Sequence, residues 1–256
     1  MSLSKRLPRR DQVAIAVSLA GVTVLAWLYL FVLAGRMSDS MTDEMSIMQM
    51  PGWDIAYFVS MFLMWAIMMI GMMVPSVAPA VLIYAGVARK ARSRDQTIAP
   101  TGAFVAGYLT VWIFFSAAAT SAQWGLASAA LVSPTIVSGS KWLSAGLLFA
   151  AGIYQWLPIK NRCLHQCRSP IEYLSSRWKK GYVGAVKMGV GHGLYCLGCC
   201  WVLMALLFVG GVMNLFWIAL IAAYVLIEKV LPFGEITARV MGVLMIVAAM
   251  IVLATG

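Results

Sequence analysis

Charge is what this chain has least of: 11% of its 256 residues are Asp, Glu, Lys or Arg, and only nine of them are acidic. A soluble domain carries about a quarter of its residues as charges, so a water-facing surface over the whole chain is excluded. The few carboxylates form no paired set for acid–base chemistry, and neither a Gly-rich nucleotide loop nor a catalytic triad is present. No low-complexity tract and no clear internal repeat breaks the sequence. Histidine is reduced to two copies, so haem ligation by His165 and His192 would place one ligand in a loop. What is abundant is apolar: 62% hydrophobic residues and a mean hydropathy of +0.88.

Crossing the hydrocarbon core takes about 20 apolar residues. Seven stretches approach that length, at about 12–34, 55–87, 102–122, 142–157, 186–209, 215–231 and 240–254. The first exceeds the roughly 7–15 apolar residues of a signal peptide and reads as a retained helix. The second contains Pro75 and Pro79 and reads as kinked, with freed carbonyls satisfied by neighbouring helices. The expected fold class is therefore all-α: a polytopic transmembrane helical bundle of about seven spans, with residues 1–256 forming a single integral membrane domain.

The net charge of +10 does not point to nucleic acid, because its distribution is that of a topology signal. Four Lys or Arg precede the first stretch, four lie between Arg89 and Arg94, seven between Lys160 and Lys187, and two are Lys229 and Arg239. The intervening segments hold Arg36 and Lys141 alone. Under a seven-helix scheme the positive-inside rule then puts the N-terminus in the cytoplasm and the C-terminus outside. The bilayer is the expected partner, with its anionic inner leaflet a secondary attraction.

All five cysteines and both histidines fall between Cys163 and Cys200. The first group, Cys163, His165 and Cys167, lies in the cytoplasmic segment after the fourth stretch. If extended, it points all three donors one way; if helical, it aligns Cys163 with Cys167 and turns His165 aside. The second group lies on the fifth stretch, where His192, Cys196 and Cys200 follow i, i+4, i+8 and Cys199 falls at i+7. One helical stripe carries all four, descending from the inner interface towards the midplane, with Gly189, Gly191, Gly193 and Gly198 beside it. Such a stripe should face the protein interior.

Thiolate and imidazole donors suit copper(I) or zinc, and cytoplasmic thiols stay reduced, which disfavours structural disulfides. Cys196 and Cys199 form a Cys-x-x-Cys pair, so a membrane thiol–disulfide oxidoreductase is the alternative, although burial favours metal over exchange. A third reading is a structural or assembly partner of a membrane complex, with packing cysteines. Methionine adds a weaker signal. Met61, Met64, Met68 and Met72 share a helical face beside Met69 and Met73, and Met37, Met41, Met45, Met48 and Met50 precede them, a pattern suited to copper(I) or to adaptable packing. Asp54, Glu228 and Lys229 are read as interfacial, with Lys229 snorkelling. Asn214, after Gly210 and Gly211, marks a turn.

These blocks resemble a prokaryotic family of predicted metal-binding integral membrane proteins. The resemblance rests on 65–69 and 73–76, on the segment from Pro158 to Pro170, on the run from Gly191 to Trp201, and on 213–217 with Glu228 and Lys229. It covers most of the chain after the first helix. It implies a metal site and a multi-pass protein of a prokaryotic inner (plasma) membrane. The resulting expectation is metal handling or delivery through Cys163, His165, Cys167, His192, Cys196, Cys199 and Cys200. A membrane-protein partner or homo-oligomer would complete the assembly.

Overall fold

The computed structural model describes residues 8–43, 54–92, 99–129, 141–231 and 233–255. Every regular element among them is helical: α1 (Arg9–Asp43), α2 (Ile55–Arg92), α3 (Thr101–Ser128), α4 (Lys141–Tyr154), α5 (Pro158–Arg168), α6 (Pro170–Ser176), α7 (Gly181–Ala205), α8 (Leu207–Gly210), α9 (Leu215–Val230) and α10 (Gly234–Thr255). Of the methionines before α2, Met45, Met48 and Met50 lie outside the described residues.

Among the described residues, five helical stretches are long and apolar enough to cross a membrane: α1, α2, α3, α7 with α8, and α10. Helices α4 and α5 meet at a 66° bend, and counting that broken pair as one span makes six. Each of the seven expected stretches contains a helix, but two are short. Helix α4 has 14 residues and α9 has 16, so α9 measures about 24 Å at 1.5 Å per residue. The bend follows from Pro158, which starts α5 at a position where its missing N–H is harmless and cannot extend α4.

Apolar side chains cover the outside as well as the core. Val17, Leu25 and Phe31 on α1, and Val240, Leu244 and Ile251 on α10, are all more than half exposed, the pattern of a surface that meets hydrocarbon. Inside, Met64, Trp65, Met68, Met69 and Met73 of α2 pack with Phe104, Tyr108 and Trp112 of α3 and with α7. The methionine stripe is thus core. Among the polar groups there, Trp65 Nε1 donates to Gln123 Oε1 at 2.7 Å and Gln123 Nε2 to Met61 Sδ at 3.5 Å, whereas the buried Trp112 Nε1 has no partner.

The tightest crossing is between α3 and α7. A Cβ on Gly107 would strike the Val186 carbonyl, and one on Gly189 would strike the Phe104 carbonyl, so the two backbones touch where only glycine fits. Helix α2 runs unbroken through Pro75 and Pro79. Just before them, the Met73 carbonyl accepts from Ser76 Oγ at 2.9 Å and from the Tyr108 hydroxyl at 3.3 Å. The expected turn at Asn214 is present: Gly211 has φ 93° and Asn214 caps α9 by accepting from the Trp217 amide at 3.2 Å.

Candidate metal centre

Helix α7 carries the expected stripe, and all of it faces inwards. His192 is 3% exposed, Cys196 2%, and Cys199 and Cys200 are fully buried. The first group is a helix, not an extended loop, so Cys163 and Cys167 lie one turn apart on one face of α5 and His165 points away, exposed.

Helix α5 folds back over α7 and joins the two groups. Its packing on α7 brings the Cys167 thiol close to those of Cys196 and Cys199. Cys200 lies beside the same two residues on α7 itself. Cys163 is one step further out: its Sγ rests against Gly198, where a Cβ would lie 2.8 Å from the sulfur. All five are free thiols. Four sulfur atoms from two helices thus share one pocket, and a fifth stands at its edge.

Lys229 of α9 supplies the positive charge. Its Nζ donates to Cys196 Sγ at 2.9 Å and to Ser76 Oγ at 3.2 Å, and the residue is only 8% exposed. The Tyr108 hydroxyl lies 3.0 Å from the same sulfur. Cys196 Sγ therefore sits beside an ammonium, whose charge offsets that of a thiolate there, and next to the Tyr108 oxygen. Cys199 and Cys200 turn their thiols to the Cys196 carbonyl, each at 3.0 Å. Among the described residues no group of three or more His, Cys, Asp or Glu stands arranged to hold a metal ion. With Cys199 and Cys200 bonded to backbone, a side-chain rotation of either is what would turn it towards Cys167.

His192 does not join the sulfur atoms. Its ring is boxed by Tyr173, Phe104 and Tyr108, with centroids at 5.3, 6.0 and 6.0 Å, and its Nδ1 has no hydrogen-bond partner. Tyr173 closes the box from α6. Burial pushes its phenol up to about 12, so it stays protonated and keeps donating to the Met188 carbonyl at 2.8 Å.

A second buried group braces α5. Lys160 pairs with Glu228 and also bonds Gln155, with all three side chains enclosed. The Tyr224 hydroxyl donates to Glu228 Oε1 at 3.4 Å, while Oε2 has no partner. The interfacial expectation for Glu228 and Lys229 is thereby corrected. Lys229 turns in to Cys196 and Ser76 instead of snorkelling, and Glu228 is taken by Lys160.

Residues 62–252 match the family model PpoB2, described as a copper chaperone. The chain belongs to this copper chaperone family. The matched span contains every thiol, both histidines, Lys229 and the Lys160–Glu228 pair, and leaves out α1. PpoB2 membership points to copper handling and lends nothing to zinc. No curated protein and no solved structure matches the chain.

Sequence reasoning missed Tyr108, Ser76, Lys160 and Lys229. The one available signal was the Glu228-Lys229 pair itself, two opposite charges together at the end of an otherwise apolar helix.

Proposed function

We propose that this chain is an integral membrane copper chaperone that takes up copper(I) at the cytoplasmic side of a prokaryotic inner membrane and passes it to another membrane protein. The meeting of Cys167 from α5 with Cys196 and Cys199 from α7, beside Lys229, carries this reading. Copper(I) prefers soft thiolates in low coordination numbers. Two thiolates around one copper(I) leave a net charge of about −1, and the Lys229 ammonium offsets it in a site where an isolated charge would be costly.

Cys167 and Cys196 are the first pair in this scheme. Cys199 and Cys200 serve as exchange ligands, each able to make a new copper–sulfur bond before an old one breaks. Cys163 is an outer thiol near the Cys167 end. His192 sits one turn below Cys196 and is a reserve donor, and His165 lies outside the sulfur pocket. The positive-inside distribution supports a cytoplasmic location for α5, and the apolar exterior supports a multi-pass protein.

Elemental analysis of protein purified under reducing conditions tests the reading. Near-stoichiometric copper is expected, and Cys196→Ser with Cys200→Ser should remove it. Metal-free protein whose five thiols all alkylate freely would sink the proposal. A thiol–disulfide exchange reading draws on the same Lys229–Cys196 contact, and a mixed disulfide trapped in Cys199→Ser would favour it.

A further inference from the structure

An open cavity of about 750 Å³ leads to the sulfur pocket from the α5–α6 side. Its walls include Ser76, Cys167, Arg168, Glu172, Ser175 and Lys229. Lys229 donates to Cys196 and Cys167 lies close to it, so the cavity leads to the edge of the thiol pocket. A second cavity of about 280 Å³ adjoins it, sharing Arg168 and Lys229 and adding His165 and Glu235.

A bare monovalent ion does not call for such a space. The volume is that of a small-molecule site, within the roughly 300–1,000 Å³ usual for one. Copper(I) among thiols exists as thiolate complexes, because soft sulfur outcompetes water for it. Arg168 is half-buried in the wall, makes no ion pair among the described residues, and presents the planar fork that receives a carboxylate. Glu172 and Glu235 line the same two cavities without pairing with it.

We propose that this cavity is a docking site for a small carboxylate-bearing thiol that carries copper(I), with Arg168 binding the carboxylate and Cys167 meeting the metal first. It rests on the copper reading above and names the form in which the cargo arrives. In the transfer, the two bonds from copper to carrier sulfur break and bonds to Cys167 and Cys196 form. The Cys167 proton leaves on one departing carrier thiol, the other carrier departs as thiolate, and copper remains copper(I) throughout.

Stopped-flow transfer to the full chain in detergent, with copper(I) presented either by glutathione or by 2-mercaptoethanol, tests this. Arg168→Ala is expected to slow transfer from glutathione about tenfold, the lower end of electrostatic effects on association, and transfer from uncharged 2-mercaptoethanol less than twofold. Equilibrium retention of copper against a chelator should be unchanged, because Arg168 contacts no thiol. Should Arg168→Ala fold poorly, Glu172→Gln removes a competing carboxylate and is expected to speed the glutathione arm alone. Equal effects on both donors, or none, would overturn the docking site and point to a protein donor inserting its own cysteine. Failure of the wild type to take copper from either donor or from the chelator would instead overturn the copper reading itself.

Discussion

Lys229 and Cys196 show at the level of single residues how charge decides what a thiol can do. Removing one partner of a buried charged pair costs about 3–5 kcal/mol, because the other charge is left uncompensated. Lys229→Met is therefore expected to lower copper retention at least tenfold in a chelator competition, and Lys229→Arg to retain more of it. Cys167→Ser should be as damaging as Cys196→Ser, whereas His165→Ala, on the far face of α5, should leave bound copper unchanged; equal losses in all three would contradict the geometry. The α7 stripe was legible because i, i+4, i+8 spacing fixes a helical face whatever that face packs against. Lys229 was not, because a lysine in the last turn of an apolar helix reads as snorkelling, and its partner lies 33 residues upstream on another helix.

Helix α5 is the element on which the site depends. Lys160, Cys163 and Cys167 fall on one face of it, so the Lys160–Glu228 pair and the two thiols are set by the same rotation of the helix. Lys160→Met should leave Glu228 buried and unpaired, lower stability by about 3–5 kcal/mol, and release Cys167 from Cys196. The checks are faster alkylation of Cys167 and loss of the Cys167–Cys196 cross-link under mild oxidation. Exchanging the charges with Lys160→Glu and Glu228→Lys should restore both, which a simple packing defect would not do. The sequence left the Cys163–Cys167 segment open between strand-like and helical forms. Pro158 at the first turn of α5 and the buried Lys160 favour helix, but the contact that holds it is with α9, which local pattern does not reveal. Helices α4 and α9 were legible as short apolar stretches at 142–157 and 215–231, and the structure places them at Lys141–Tyr154 and Leu215–Val230.

At the scale of the whole molecule, the apolar exterior and the one-sided Lys and Arg distribution were readable from composition alone. They predict that tags at the N-terminus and in the α5–α6 region are protected from external protease in intact cells, while the C-terminus is cleaved. The α3–α7 crossing gives a further consequence. With Gly107 and Gly189 letting backbone rest on backbone, α7 has no slack, and three of the five thiols are bolted to the frame of the bundle. Motion during cargo release then falls to the α5–α6 arm, which is short, bent 66° from α4 and fastened to α9 by an ion pair. Amide hydrogen exchange should find α3 and α7 slow and α5–α6 faster. Copper would leave this protein as a coin leaves a hand: the palm stays still, and the thumb lifts.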